Sequence, residues 1–282
     1  MTGRVVVVGS LNVDHTAQVQ HLPRPGQTVI ARDYQRALGG KGFNQAVTAA
    51  RQGADVVLVG CVGDDDGGTE LLDALRGEGV SAAFVRRHAD MPTGCAHISV
   101  DAHGKNSIVV VPGANAGASF PSAALEGASV LLAQLEVPLS VVTAALAAAH
   151  AAGIMTILNP APARQLSDEL LQHVDYLVPN EVESQHLGEV SFGGTAIITQ
   201  GERGAMVLCA GERDRHVPPV FVEPVDTTGA GDAFCGCLAA GLALGATLDE
   251  ALRRASAAGA HAATIPGAMP SLPYLEDVEA LL

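Results

Sequence analysis

The sequence predicts an α/β fold in which a doubly wound, mostly parallel central sheet carries helices on both faces. Short apolar runs rich in β-branched residues recur along the chain, beginning at residues 4–9, and helical stretches separate most of them. Repetition of strand and helix is typical of such a sheet, and a continuously apolar run is typical of a strand buried on both faces. We expect a single domain over residues 1–282.

The elements can be placed in chain order. Strands are expected over residues 4–9, 56–59, 130–132, 154–158, 176–178 and 196–199. Helices are expected over residues 44–51, 69–77, 139–152, 181–187 and 233–244. Residues 137–163 contain no Asp, Glu, Lys or Arg, which raises the alternative of a membrane span. Because Pro138, Gly153 and Pro160 interrupt this stretch, we interpret it as a helix followed by a buried strand.

Two regions depart from the alternation of strand and helix and predict a small antiparallel β lid inserted in the domain. They are residues 13–31 and residues 94–111. In the second region, apolar runs flank a turn-like segment at residues 101–104, which is typical of a β-hairpin. Neither region suits a parallel sheet, so we expect both to form a flap over a ligand crevice.

Composition and charge exclude several classes of protein. Hydrophobic residues make up 48% of the chain and aromatic residues only 3%, which favours a globular core of Ala, Val and Leu. With Lys+Arg 16 against Asp+Glu 30, the net charge of −14 argues against a nucleic-acid partner. The five cysteines form no C-x-x-C pair, and they are interpreted as buried, reduced thiols. The apolar run 5–8 is too short for a signal-peptide core, so we expect a cytoplasmic protein without a membrane partner.

A glycine segment precedes the predicted helix 233–244 and indicates an anion site. Gly229, Ala230 and Gly231 allow backbone N–H groups to converge on an anion at the positive end of a helix. Asp232 would lie in the first helical turn, where its carboxylate can accept a proton from an attacking hydroxyl. A glycine turn with an acidic cap is the alternative interpretation of the segment taken alone.

A second glycine segment, residues 38–45, also opens a helix. Lys41 and Asn44 offer hydrogen-bonding groups that suit sugar hydroxyls, although a tight turn is the alternative. The segment is not a Walker loop, because its lysine is followed by Gly42 and not by Ser or Thr. Asn12 and Asp14 follow the first strand, at the edge where open sheets bind ligands, but an isolated Asp there could also be a cap.

Together, these segments resemble the ribokinase branch of the PfkB carbohydrate kinase family. Gly39-Gly-Lys-Gly-x-Asn44 and Asp226-Thr-x-Gly-Ala-Gly-Asp232 are similar to the two family signatures and stand in the family order. The likeness continues at residues 9–14, 93–94, 113–115, 135–136, 159–163, 179–183 and 199–204. The resemblance implies ATP-dependent phosphorylation of a hydroxymethyl group on a sugar or nucleoside, with Mg²⁺, and in the ribokinase branch the product is ribose 5-phosphate.

The resemblance also implies roles for individual residues. Asp232 would be the general base, and the amides of residues 229–232 would form the anion hole. The ribose would contact polar groups of the domain together with apolar side chains of the flap: Asn12, Asp14, Gly40, Lys41, Asn44 and Glu136, with Ala96, Ile98 and Val110.

Nucleotide, cations and assembly are assigned in the same way. The implied nucleotide contacts are Asn180, Thr199, Gln200, Gly201, Glu202, Arg203, Gly204, Gly231 and Ser256. Glu183 would hold Mg²⁺ through water, unless it is only a solvated carboxylate at a helix end. The implied site for K⁺ or a similar monovalent activator consists of Asp226, Thr228, Ala262, Ile265, Gly267 and Ser271. An exposed flap edge would also favour a homodimer joined through the lids.

Three functions stay open at this point. The first is an ATP-dependent kinase for ribose, which Asn12, Asp14 and Glu136 favour together. The second is a kinase of the same family for another sugar or a nucleoside. The third is a non-catalytic sugar-binding regulator, against which the intact Asp232 and its glycine segment argue. The connection at residues 188–194 is shorter than is usual in the family, which generally has a further helix there.

Overall fold

The computed structural model describes residues 3–103, 105–188, 192–209, 211 and 213–282. Gly104 of the expected turn and residues 189–191 of the short connection lie outside the described residues. The strands are β1 (Arg4–Val8), β2 (Asn12–Gln18), β3 (Asp33–Gly39), β4 (Asp55–Gly63), β5 (Ser81–His88), β6 (Gly94–Val100), β7 (Asn106–Val111), β8 (Ala128–Ala133), β9 (Met155–Leu158), β10 (Tyr176–Leu177), β11 (Thr195–Thr199), β12 (Ala205–Cys209) and β13 (Arg215–Val217). The helices are α1 (Lys41–Arg51), α2 (Asp66–Gly77), α3 (Leu139–Ala151), α4 (Asp168–Leu171), α5 (Glu181–Leu187), α6 (Ala230–Ala243), α7 (Leu248–Ala262), α8 (Ala268–Ser271) and α9 (Leu275–Glu279).

The predicted fold class is confirmed. A nine-stranded sheet has the order β13-β12-β11-β10-β9-β8-β1-β4-β5, and its strands from β11 to β5 run parallel. Strand β1 pairs with β4 on one side and β8 on the other, so the chain order reverses at β1. Open α/β sheets bind ligands at such a reversal, beyond the carboxyl ends of the strands.

The apolar strands are central because both of their faces are covered. In β1, Val5 and Val7 belong to one buried cluster, while Val6 and Val8 belong to a second cluster on the opposite face. Helices α1, α6 and α7 cover the first face, and α3 covers the second. The charge-free stretch therefore forms α3 and then β9, as the sequence predicts. Among the described helices, none is long and apolar enough to cross a membrane.

A separate four-stranded sheet, which we call the flap, has the order β3-β2-β6-β7. Strands β6 and β7 form the expected antiparallel hairpin. Strand β3 lies beyond the expected range of 13–31, and residues 20–32 form no strand. The polar sequence of β3, with most of its residues exposed, does not show the apolar alternation by which a strand is recognised.

Three strands of the large sheet were also not expected from the sequence. Strand β5 is an edge strand that carries Arg86 and Arg87, and β12 and β13 are antiparallel additions at the opposite edge. Edge strands are half exposed, so their sequences lack the continuous apolar run of a central strand. In the short connection, α5 precedes the undescribed residues and Phe192 packs on the second buried cluster after them.

Helices α1 and α6 cross closely, and this crossing brings the two glycine segments together. Gly236 of α6 lies against α1, where a β-carbon at this residue would be 2.5 Å from the Gln45 carbonyl oxygen and 2.7 Å from the Thr48 Cβ. A side chain at residue 236 would therefore push the two helices apart and displace the residues that they carry.

The helix crossing can be tested with two alanine substitutions of opposite expected sign. Gly236→Ala should lower the free energy of unfolding by about 1–3 kcal/mol, because it overpacks a closed contact. Gly77→Ala in α2 meets open space and should raise it by about 0.5–1 kcal/mol, because alanine favours a helix. Urea denaturation measures both values, and equal effects of the two substitutions would contradict this account of the crossing.

Candidate active site

Two adjoining cavities lie at the carboxyl ends of the parallel strands, and Thr199, Thr227 and Gly231 line both. The smaller cavity, of about 200 Å³, is mostly polar and is lined by Lys41, Asn159, Val178, Asn180, Glu183, Thr199, Thr227, Gly229, Gly231, Asp232 and Cys235. The larger cavity has a volume of about 680 Å³ and a mainly apolar lining. The structure thus places residues of both glycine segments, Asn180 and Glu183 at one location.

The amino terminus of α6 presents free amides to the smaller cavity. The helix begins after Gly229, whose φ of 83° lies in the left-handed region that favours glycine. The Ala230 amide donates to the Thr227 carbonyl oxygen at 3.2 Å. Within the described part of the chain, the amides of Gly231 and Asp232 have no acceptor. These two N–H groups and the positive end of the helix can therefore bind an anion.

The Asp232 carboxylate is buried and is held by side chains of α1. Its Oδ2 accepts a hydrogen bond from Asn44 Nδ2, and its Oδ1 accepts one from Gln45 Nε2, each at 2.9 Å. The Oδ1 of Asn44 is buried and has no partner among the described residues. A buried acceptor of this kind normally has a donor, and a hydroxyl of a bound molecule can supply one.

A second pair of carboxylates adjoins this group. Burial and the charges of Glu136 and Asp232 raise the pKa of Asp14 to about 6. The Oε2 of Glu136 accepts from the Lys41 amide at 3.1 Å and from the Ser10 hydroxyl. Burial alone would lower the pKa of Lys41, but the charges of Asp232, Glu136 and other anionic groups outweigh it, so the pKa is raised. The Lys41 ammonium is therefore the counter-charge of the acidic site.

The flap carries the other expected sugar contacts on one face. Asp14 of β2 is paired with Ala96 of β6, which is paired in turn with Val110 of β7. Ile98 lies two residues farther along β6 and therefore points to the same side. Asn12 is 3% exposed, and its Oδ1 accepts from Asn115 Nδ2 at 2.8 Å. The structure brings these five residues, all singled out from the sequence, to one side of the flap.

Asn180 and Glu183 meet at the start of α5 in a capping box. The backbone amide of Asn180 donates to Glu183 Oε2, and the backbone amide of Glu183 donates to Asn180 Oδ1, both at 2.8 Å. Glu183 also lines the smaller cavity, and its Oε1 makes no hydrogen bond within the described residues. A carboxylate oxygen in a polar cavity suits Mg²⁺, which retains several of its waters. The described residues contain no group of three or more His, Cys, Asp or Glu that could ligate a metal directly.

Asp226 joins the two segments of the expected monovalent-cation site. Its Oδ2 accepts from the Gly267 amide at 2.9 Å, and its Oδ1 accepts from the Thr228 hydroxyl at 2.7 Å. Burial opposes ionisation of Asp226, but these bonds outweigh it and hold its pKa below the ordinary value. Ser271 is fully buried, and its hydroxyl donates to the Ala268 carbonyl oxygen at 2.7 Å. Backbone carbonyl oxygens, which the segments 226–228 and 262–271 both contain, are a type of ligand that monovalent cations bind.

The larger cavity contains most of the residues expected to contact a nucleotide. Thr199, Gly201, Glu202, Arg203, Gly204, Gly231 and Ser256 line it. Gln200 is not among its lining residues, and its amide donates to the Gly204 carbonyl oxygen at 2.8 Å. The Ser256 hydroxyl oxygen is buried and has no partner among the described residues. It is a hydrogen-bonding group available to a bound molecule.

Sequence reasoning missed several residues of the site. The missed residues are Gln45, Gln134, Asn159, Thr227 and the segment 219–224, which includes Phe221. Gln134 directly follows β8 and Asn159 directly follows β9, just as polar residues follow β1. A polar residue close behind the carboxyl end of a parallel strand was thus the available signal. Segment 219–224 contains no comparable polar pattern.

The chain is similar to known carbohydrate kinases over nearly its whole length. A model of the pfkB family carbohydrate kinases matches residues 2–275. The ribokinase of Bacillus subtilis is 39% identical over 99% of this chain and 99% of its own. The ribokinase of Haemophilus influenzae is 37% identical over 98% of this chain and 97% of its own. The structure of Arabidopsis thaliana ribokinase complexed with ribose and ATP is 31% identical, covers 100% of this chain and 99% of its own, and has a TM-score of 0.90.

The raised pKa of Asp14 predicts a stability cost at neutral pH. The ionised carboxylate destabilises the folded state above about pH 6, and this cost disappears as the pH falls from about 6 toward the ordinary pKa of 3.8. Asp14→Asn should therefore raise the free energy of unfolding at pH 8 by about 1–3 kcal/mol. The gain should vanish near pH 4. Urea denaturation across this range measures it, with Asp90→Asn on the surface as the control, and a gain that persisted at pH 4 would contradict the assignment.

Proposed function

Because the chain belongs to the PfkB family of carbohydrate kinases, we propose that it phosphorylates D-ribose at its 5-hydroxyl with ATP to give ribose 5-phosphate. The observation that carries the proposal is the position of the Asp232 carboxylate. It lines the polar cavity beside two helix amides that have no acceptor among the described residues, and the neighbouring Gly231 also lines the adjoining nucleotide-sized cavity. A base, an anion site and a nucleotide site in contact are what a phosphoryl transfer requires.

In the proposed reaction, Asp232 accepts the proton of the 5-hydroxyl as its oxygen attacks the γ-phosphorus of ATP. A new oxygen–phosphorus bond forms, and the bond between the γ-phosphorus and the bridging oxygen of ADP breaks. The amides of residues 229–232 form the anion hole, and those of Gly231 and Asp232 are free to bind the transferring group. Bound through water at Glu183, Mg²⁺ would neutralise phosphate charge. Positioning and charge stabilisation supply the rate, since the protein contributes little covalent chemistry.

Ribose is the proposed acceptor because the flap and α1 present groups that suit its hydroxyls. The Asp14 carboxylate can accept hydrogen bonds from two neighbouring hydroxyls, while Asn12, Lys41, Asn44 and Glu136 supply further polar contacts. Gly40 would contribute its backbone, and the apolar Ala96, Ile98 and Val110 would cover the ring. Closure of the flap over the sugar would exclude water, which is the competing acceptor.

The larger cavity is the proposed ATP site, with Asn180 near the phosphates and Ser256 near the base. The proposed activating cation, K⁺ or a similar ion, would be held by Asp226, Thr228, Ala262, Ile265, Gly267 and Ser271. Asp226 and Thr228 lie just before α6 in sequence. The segment that contains Gly267 is joined to them by the hydrogen bond from the Gly267 amide to Asp226. A cation there would offset negative charge close to the anion hole.

Two further proposals concern assembly and location. The flap face opposite Asp14 exposes Tyr34, Val109 and Val111, with exposed fractions of 58%, 60% and 40%. We propose that this face joins two copies of the chain, and a monomeric mass in sedimentation would contradict it. All five cysteines are free; Cys61, Cys235 and Cys237 are buried as expected, whereas Cys95 and Cys209 are only half-buried. Free thiols support work in the reducing cytoplasm. Oxidation of these thiols during ordinary cytoplasmic expression would contradict that location.

The acceptor is tested directly by a panel of sugars and nucleosides in a coupled ADP-release assay. Ribose should have the highest kcat/KM, above 2-deoxyribose, other pentoses, hexoses and nucleosides, because Asp14 can pair with two hydroxyls. Activity with ribose should rise when K⁺ is added. Preference for another acceptor would support the second function, a kinase of the same family for another sugar or a nucleoside. Turnover of no acceptor would support a sugar-binding regulator.

Removal of the base should separate binding from chemistry. Asp232→Asn should lower kcat by a factor on the order of 10² to 10⁴, because the amide cannot accept the proton. Ribose binding, measured by calorimetry, should change little. Asp175→Asn is the matched control, since this carboxylate accepts from Thr156 at 2.8 Å and lines neither cavity. Near wild-type turnover in Asp232→Asn would show that the base is assigned wrongly.

A further inference from the structure

Gln45 of α1 donates a hydrogen bond to the carboxylate of Asp232, the proposed base. The Gln45 side chain is fully buried. The Nε2 donates to Asp232 Oδ1 at 2.9 Å and to Asn159 Oδ1 at 3.2 Å. Asn159 is itself anchored, because its Nδ2 donates to the Val178 carbonyl oxygen at 2.8 Å. Both N–H groups of Gln45 are therefore used on residues that line the smaller cavity.

A second buried glutamine continues this chain of amides. Gln134 directly follows β8 and is fully buried, and its Nε2 donates to Gln45 Oε1 at 2.6 Å. Hydrogen bonds arranged in series polarise one another, so the donation from Gln134 strengthens the donation from Gln45. The Gln134 Oε1 at the far end is buried and has no partner among the described residues.

Only one orientation of the two amides is chemically consistent. A carboxylate accepts hydrogen bonds and does not donate them, so Gln45 must turn its Nε2 toward Asp232. Its Oε1 then faces Gln134, which must donate a hydrogen bond from its own Nε2. A flip of either amide would place two oxygens against each other. The carboxylate thus determines the direction of the whole series, and the series in return restricts rotation of the carboxylate.

We infer that Gln134 and Gln45 are positioning residues that orient the Asp232 carboxylate toward the attacking hydroxyl. Gln45 and Asn44 each occupy one lone pair of a carboxylate oxygen, which leaves the remaining lone pairs for the proton of the substrate. Gln45 contacts no substrate in this arrangement and acts through Asp232. The inference rests on the proposed function, because it assigns the residues that support its base.

The decisive experiment is a double-mutant cycle in kcat. Gln45→Met keeps a side chain of similar length and removes the hydrogen bond to a charged group, so kcat should fall about 10- to 100-fold. Ribose binding measured by calorimetry should stay within about twofold, because the sugar contacts remain. In the Asp232→Asn background, Gln45→Met should reduce the residual kcat by less than about twofold, since the residue through which it acts is already changed.

Gln52→Met is the matched control for loss of a buried glutamine. Gln52 follows α1, is 4% exposed, and donates to the Pro273 carbonyl oxygen at 3.0 Å, away from both cavities. The Gln52→Met variant should lose about as much stability as Gln45→Met and keep the wild-type kcat. If Gln45→Met does not fold, Gln134→Met replaces it, and we expect a smaller decrease in kcat, of about 3- to 10-fold.

Three results would overturn the inference. They are a wild-type kcat in the folded variant, an equal loss of kcat in Gln52→Met, and an undiminished effect of Gln45→Met in the Asp232→Asn background. The cycle is measured with the acceptor that the wild type phosphorylates best, so a wrong assignment of ribose leaves the inference standing. A chain that phosphorylates no acceptor would contradict the proposed function and the inference together.

Discussion

The site depends on keeping carboxylates close together where a further anion must bind. Asp14, Glu136 and Asp232 interact electrostatically, and Glu183 lies in the same cavity region. One ammonium, that of Lys41, opposes them, while the whole chain has a net charge of −14. Neutral groups, namely the free amides of α6 and the side-chain amides of α1, add further positive potential in the smaller cavity. Preorganised dipoles of this kind stabilise developing charge without rearrangement during the reaction.

This constraint explains why two helices must meet closely at the switch point of the sheet. Helix α1 supplies Lys41, Asn44 and Gln45 from one turn, and α6 supplies Asp232 and its amides. Neither helix forms the site alone. The closeness of their crossing at Gly236 therefore sets the position of the Asp232 carboxylate, the proposed base. The proposed role of Asp14 in binding sugar hydroxyls accounts for the electrostatic cost of keeping its carboxylate in the fold.

The central architecture could be predicted from the sequence, because its central strands are continuously apolar and α1 and α6 begin at glycine segments. The edge strand β5 and the flap strand β3 could not, since their half-exposed sequences combine charged and apolar residues without a period. In the site, Asp232 and Lys41 stand in recognisable segments. Gln134 and Asn159 are single amides more than twenty residues from either segment, and only the parallel sheet brings them to Gln45. Their positions after β8 and β9 mark the edge of the sheet, but no local pattern shows that they pair with Gln45.

The most direct test of the account is a crystal structure with ribose and a non-hydrolysable ATP analogue bound together. The proposed mechanism predicts that the 5-hydroxyl oxygen lies about 2.6–3.2 Å from an Asp232 carboxylate oxygen. It also predicts that the terminal phosphate accepts hydrogen bonds from the Gly231 and Asp232 amides. A bound sugar whose hydroxymethyl group points away from Asp232, with the phosphate bound elsewhere, would contradict it.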